Sequence, residues 1–168
     1  MNGKRYFVIA DLHFGHEKII DYCKRPFKNI FDMNKTLVKN WNKVVRKDDV
    51  VFVLGDVALR KNYVKEYVPK LNGKKILIKG NHDSASNEFY RQCGFKEVSD
   101  YPILFDFCLM SHEPLPLSET TPYFNFYGHV HNDEKFVDTE TSKCVSVERI
   151  GYAPYCFLNI PTVQDVTK

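Results

Sequence analysis

Apolar positions along the 168-residue chain follow two rhythms, and each rhythm predicts a kind of element. Nearly unbroken apolar runs at residues 5–10, Val50–Leu54 and Ile76–Lys79 read as interior strands, closed by Asp11, Gly55-Asp56 and Gly80-Asn81. Elsewhere the period lengthens. Met33, Leu37, Trp41, Val44 and Val45 form a stripe at i, i+4 and i+7/i+8 spacing, which predicts a helix from an Asp32 cap to about Arg46. Shorter helices are expected from His16 or Glu17 to the break at Arg25-Pro26-Phe27, across Tyr63–Leu71, and across Asn87–Cys93. Beyond these lie short strand-like runs at Pro102–Phe105, Phe107–Met110, Phe124–Tyr127, Cys144–Val147 and Cys156–Ile160. The first half therefore reads as βαβ-like and the second as mostly antiparallel, predicting two packed sheets with helices outside.

Composition bounds this picture. With 43% apolar and 14% aromatic residues and no repeat or linker, one domain over residues 1–168 is expected. Five scattered cysteines with no Cys-x-x-Cys pair suggest neither a disulfide framework nor a zinc ribbon. The first apolar run is too short for a signal peptide, and no later run could span a bilayer. A soluble, cytoplasmic protein with reduced thiols and no membrane partner is expected. The net charge of +3 hides an asymmetry: residues 1–80 hold 18 Lys/Arg against 8 Asp/Glu, and residues 81–168 hold 6 against 13. Such a basic half can serve phosphate-rich partners. Lys35, Lys39, Lys43 and Arg46, however, recur opposite the apolar stripe, as on a solvated helix face.

The histidines carry more information than the charge. All six, at positions 13, 16, 82, 112, 129 and 131, stand within two residues of another His, an Asp, an Asn or a Glu where strands end. Asp11 and His13 are two apart, so strand alternation sends both to one side, and His129-Val130-His131 repeats the device. Glycine precedes Asp56, Asn81 and His129, which allows sharp turns and close approach. Loops at the carboxyl ends of strands can converge on one site. Oxygen and nitrogen donors without thiolate suit Mn, Fe, Zn or Mg, and seven candidates (Asp11, His13, Asp56, Asn81, His112, His129 and His131) exceed what one ion with open positions needs. Two ions are implied, with Asp56 able to bridge them. Taken singly, each residue has a plainer reading, a hydrogen-bonded histidine or, for Asn81-His82-Asp83, a helix cap. The joint pattern carries the argument.

That pattern resembles the calcineurin-like metallophosphoesterase superfamily. The motifs Asp11-x-His13, Gly55-Asp56, Gly80-Asn81-His82-Asp83, Ser111-His112 and Gly128-His129-x-His131 occur in family order. Asp11-Leu-His-Phe-Gly-His-Glu, Lys24-Arg25-Pro26-Phe27, Trp41-Asn42 and Cys144-Val-Ser-Val-Glu148 are similar to small, cap-less bacterial and phage members, although Cys144 stands where that pattern has Asn. The resemblance implies an α/β fold, a four-layer αββα sandwich of two mixed β-sheets flanked by helices. It implies one metal on Asp11, His13, Asp56 and His131, and a second on Asp56, Asn81, His112 and His129. His82, oriented by Asp83, would protonate the leaving group.

The expected activity is hydrolysis of a phosphodiester or phosphomonoester bond, with a hydroxide held between two divalent ions as nucleophile. Manganese is the first expectation, with Fe, Zn, Ni or Mg as alternatives. His16 and Arg25 are candidates for substrate contact, Arg25 as a bidentate fork for phosphate. Glu17 and Glu148 read as structural, and Tyr123, Phe124 and Phe126 as core. The substrate is expected to be small, with nucleotides included. A nuclease and a non-catalytic, metal-bound binding module are the competing readings, and the oligomeric state is not legible.

Overall fold

In the computed structural model, which describes residues 4–160, the apolar runs become strands whose side chains sort by parity. Strands β1 (Lys4–Ile9), β2 (Val50–Val53) and β3 (Lys74–Ile78) lie side by side and parallel. Phe7, Ile9, Val51, Val53 and Leu77 enter one apolar cluster, while Tyr6, Val8, Val50, Phe52 and Ile78 enter another. Burial on both faces is why these runs lack a polar alternation. Strand β4 (Phe95–Ser99) adds parallel to β3, and β9 (Tyr155–Ile160) adds antiparallel to β1, giving the order β4-β3-β2-β1-β9.

The second sheet holds β5 (Ile103–Phe105), β6 (Cys108–Met110), β7 (Phe124–Tyr127) and β8 (Ser142–Cys144) in sequential order. Its expected antiparallel character is corrected: β5/β6 is antiparallel, but β6/β7 and β7/β8 are parallel. The segments 111–123 and 128–141 are long enough to carry the chain back to the same end, as parallel neighbours require. The strand expected at Cys144–Val147 is also displaced. After Cys144 the chain leaves β8 and bonds to Ala10 instead, with Ala10 N–H donating to Val145 O (2.9 Å) and Val147 N–H to Ala10 O (3.2 Å). That exchange stitches the two sheets together.

Helices α1 (Lys18–Tyr22), α2 (Ile30–Val44), α3 (Lys61–Tyr67) and α4 (Asn87–Gln92) all contribute buried residues to the cluster on the first sheet's outer face. Trp41, Met33 and Leu37 of α2 are its fully buried centre. The cap of α2 is Asn29 rather than Asp32. Asn29 Oδ1 accepts from Asp32 N–H (3.0 Å), and Asp32 Oδ2 accepts in return from Lys28 N–H (3.1 Å), a reciprocal arrangement that begins the helix three residues earlier than expected. Lys35, Lys39, Lys43 and Arg46 are exposed, as a solvated face should be. Cys23, Cys93 and Cys144 are buried, Cys108 is half-buried and Cys156 is exposed. Among the described residues no helix is long and apolar enough to cross a membrane. The whole is an α/β sandwich of two mixed sheets with helices.

Candidate metal centre

Strands β1, β2 and β3 run parallel, as do β6 and β7, so within each sheet the loops that follow them leave from one edge. Those five loops carry all seven donor candidates. Their backbone is not the extended one that alternation presumed. Asp11 (φ 59°), His13 (φ 51°), Asp56 (φ 53°), His129 (φ 69°) and His131 (φ 49°) all adopt the left-handed conformation. Asp and His enter that region more readily than most residues, though each L residue there still costs about 1–2 kcal/mol. The left-handed turns, rather than a pleat, bring Asp11 with His13, and His129 with His131, to one site.

Glycine works by two different means. Gly55 has φ 84°, and a Cβ there would also meet Gly80 N at 2.5 Å and His112 Nδ1 at 2.6 Å. Gly80 and Gly128 need only space: a Cβ on the first would strike Asp56 and His112, and on the second Ala10 and, at 2.7 Å, Asp11 Oδ2. The ligand loops are packed backbone to backbone.

Two groups of donors meet at Asp56. Asp11, His13 and His131 present ligand atoms within 4.8 Å of one another, as do Asp11, Asp56 and His112. His13 Nε2 lies 3.4 Å from Asp56 Oδ2, and His112 Nε2 lies 3.7 Å from Asp56 Oδ1. On the far side, Asn81 Oδ1 is 3.0 Å from His112 Nε2 and 3.1 Å from His129 Nδ1, and the two ring nitrogens are themselves 3.1 Å apart. A spacing of ~3 Å is that of neighbouring donors around a cation bound at ~2.1 Å. Among the described residues, the buried side-chain polar atoms without a hydrogen-bond partner are Asp11 Oδ1, His13 Nε2 and Glu148 Oε2. Orphaned polar atoms cost about 1–3 kcal/mol each, so their concentration at one place fits a divalent cation as the missing partner.

The electrostatics agree. Burial holds His13 well below the usual imidazole range, helped by Arg25 and the neighbouring histidines, which favours the neutral ring that a metal ligand needs. Burial and His112 likewise lower His129, and burial with His82 lowers His16. Asp11 is pushed up to about 6 by burial, against the pull of His131, His112 and Ser146. Burial opposes the charge on His131, yet hydrogen bonds with Cys23 and Glu148 and the Asp11 carboxylate raise it to about 10. A divalent cation placed among these groups would compete with protons for them.

The supporting shell departs from expectation. Arg25 is buried, with Nε and Nη2 on Glu148 (2.9 and 2.7 Å), Nη2 on Asp11 O (2.8 Å) and Nη1 on Leu12 O (3.1 Å). Its fork is spent on the first ligand loop and is not offered to a substrate. Glu148 in turn accepts from His131 Nδ1 (3.0 Å), the carboxylate–histidine pairing that fixes a ligand ring. Asp83 does not orient His82. Its carboxylate accepts from Asp56 N–H (2.7 Å), Val57 N–H (3.2 Å), Gly80 N–H (3.0 Å) and the Tyr90 hydroxyl (3.2 Å), clamping the β2 and β3 loops together. Nor does Asn81-His82-Asp83 cap α4, a role taken by Ser86. His82 is partly exposed, 3.9 Å from Asp56 Oδ2, its ring edge-on to His13. His16 Nδ1 lies 3.4 Å from His13 Nδ1. Ser146, not singled out from the sequence, donates to Asp11 Oδ2 at 2.6 Å. Period two through Cys144, Ser146 and Glu148 was the available signal.

Comparisons with known proteins bear on the family and the fold. The chain is 39% identical over 167 residues to an uncharacterized protein of Methanocaldococcus jannaschii, covering 92% of this chain and 88% of the relative. It is 33% identical over 78 residues to the gene 66 protein of Mycobacterium phage L5, covering 44% and 37%. A protein of unknown function from Aquifex aeolicus superposes with a TM-score of 0.74 at 26% identity, covering 91% of this chain and 95% of its own. The Pseudomonas putida nuclease MPE shares the fold at a TM-score of 0.52 and 20% identity, over 75% of this chain and 61% of its own. The calcineurin-like phosphoesterase family model matches residues 4–153, and the chain belongs to that family.

Proposed function

We propose that the protein is a dinuclear metal-dependent phosphoesterase that hydrolyses a phosphodiester or phosphomonoester of a small substrate, nucleotides included. The observation that carries this reading is the position of Asp56 between two donor groups, with Asp11, His13 and His131 on one side and Asn81, His112 and His129 on the other. Asp56, sharing its two oxygens between the groups, would hold both ions. When bound, divalent cations supply Lewis acidity, lowering the pKa of water toward neutrality and offsetting charge on the phosphoryl oxygens.

The chain's own residues supply the rest. His82 reaches solvent and stands beside Asp56, and although its ring also comes within 4.8 Å of ligand atoms of His13 and Asp56, we assign it outside the donor sets, to a place from which it can give a proton to a leaving oxygen. Its main chain is fixed by its own N–H, which donates to Asp56 Oδ1 at 3.0 Å. His16, on the first loop, is the other histidine outside the donor sets and is assigned to substrate contact. Manganese is the proposed native ion, with Fe, Zn, Ni or Mg able to use the same oxygen and nitrogen donors. A nuclease uses the same chemistry on a longer substrate, and the basic first half of the chain favours it over the metal-bound binding module.

The test strips the protein with chelator, restores Mn, Ni, Zn or Mg separately, and compares a phosphomonoester, a bis-aryl phosphodiester and 2′,3′- and 3′,5′-cyclic nucleotides. Metal-dependent turnover of at least one is expected. A protein that binds two metals per chain and turns over none is a binding module, and the reading fails.

A further inference from the structure

Arg60 stands between two clefts, each of which opens beside one of the two histidines outside the donor sets. One, of about 470 Å³, runs from His16, Glu17 and Lys18 to Arg60 and Tyr63. The other, of about 250 Å³, is lined by Arg60, Lys61 and His82. Lys18, Arg60 and Lys61 are exposed, and among the described residues none is in a salt bridge, so three cations face a single carboxylate, Glu17. An ester with one phosphate held on the metal donors leaves these cations without an anion.

Exposed tyrosines flank the same centre. Tyr22 follows Lys18 by one helical turn, is 69% exposed, and sets its ring edge-on to His16 with centroids 6.4 Å apart. Tyr101, 77% exposed, lines a cleft of about 290 Å³ that also contains the donors Asn81 and His112. Tyr22 stands beside the Lys18–Arg60 cations, the pairing of aromatic face and positive charge that single-stranded nucleic acid uses because its bases are free to stack, whereas the Tyr101 cleft also holds Asp100 and Glu113 and offers a stacking face without a surplus of cations.

Resting on the phosphoesterase reading, we infer that the substrate is a single-stranded nucleic acid, with the scissile phosphodiester at the metal donors, an adjacent phosphate in the Arg60–Lys18 cleft, and bases on Tyr22 and Tyr101. Water's oxygen bonds to phosphorus, one P–O ester bond breaks, and the leaving oxygen takes a proton, so one product ends in phosphate and the other in hydroxyl.

The experiment uses the full Mn-loaded chain, with a bis-aryl phosphodiester, unstructured DNA and RNA oligonucleotides, the matching duplex and a cyclic nucleotide as substrates. The readout is kcat/KM for an oligonucleotide divided by kcat/KM for the bis-aryl ester. Arg60→Ala is expected to lower that ratio about tenfold or more and to flatten the dependence of log KM on log salt by roughly 0.7, one phosphate contact. Lys18→Ala serves as a second variant and Lys39→Ala, on the solvated face of α2, as the charge control. A ratio that falls equally in Arg60→Ala and Lys39→Ala, or in neither, overturns the inference and leaves the phosphoesterase reading standing. Wild-type preference for the cyclic nucleotide or for the duplex also overturns it. No hydrolysis of any ester overturns both.

Discussion

His112 Nε2 lies 3.0 Å from Asn81 Oδ1, while His112 Nδ1 lies 2.8 Å from the carbonyl oxygen of Leu54. A carbonyl only accepts, so Nδ1 carries the proton, and in the neutral ring Nε2 offers a lone pair toward another lone pair. A cation is the partner that satisfies both. Asn81→Ala is therefore expected to lower bound metal from two toward one per chain, measured by elemental analysis. His82→Ala should keep both metals while kcat falls about 10²–10⁴-fold. Equal metal loss in the two variants would contradict these roles.

Arg25 and Glu148 act behind the donors rather than on substrate. Glu148→Gln should weaken metal affinity about 10–100-fold, because His131 loses the carboxylate that fixes its ring. Arg25→Met strands a buried carboxylate and should cost about 3–5 kcal/mol in urea denaturation. An Arg25→Met protein of unchanged stability but raised KM would return Arg25 to the substrate.

Gly80→Ala tests crowding without backbone strain, since Gly80 is not in the left-handed region and its Cβ would meet Asp56 and His112. Small-to-large changes in packed sites typically cost about 1–3 kcal/mol. The expected result is a folded protein with a lower Tm and less bound metal. Full metal content in Gly80→Ala would show that the loops yield more easily than their packing implies.

Removing metal should lower Tm. At a free ion concentration about 100 times Kd the bound state gains roughly 2.7 kcal/mol, worth roughly 5–10 °C for a chain of this size. Thermal scans of chelated and Mn-restored protein measure this. An unchanged Tm would mean that the orphaned donors find other partners.

Lys75 supplies a pH dependence away from the centre. It is 6% exposed on β3, with Nζ on Leu71 O at 2.7 Å and Gly73 O at 3.2 Å, and burial lowers its pKa below 10.5. The folded state thus gives up this proton before the unfolded state does, and stability withheld at neutral pH is regained as pH climbs through the folded pKa toward 10.5. The urea midpoint of metal-free wild type, relative to Lys75→Met, should rise over that interval. A gap independent of pH would count against a buried charged lysine.

The clustering of the candidate donors was legible because Asp, Asn and His are residue types that offer oxygen and nitrogen donors, and because strand ends are marked by Gly55, Gly80 and Gly128. What their backbone does was not. A strand over residues 5–10 was expected to pass its alternation on to Asp11 and His13 at its end, whereas β1 stops at Ile9 and both residues turn left-handed. Arg25 misled for a related reason: a charged residue after a helix reads as surface, and its partner Glu148 is 123 positions away. Strand β4 escaped notice because Lys96 and Glu97 interrupt its apolar run at the sheet's edge, where one side faces solvent. Capping was missed by three residues, since Asn29 and Asp32 are both good caps and each bonds near the other.

The donors are divided between the sheets: Asp11, His13, Asp56 and Asn81 follow strands of the first, and His112, His129 and His131 follow strands of the second. Neither sheet alone can assemble either donor group. Each proposed donor group is thus complete only where the two sheets meet, so the seam between them, rather than either sheet, is the element on which both groups depend.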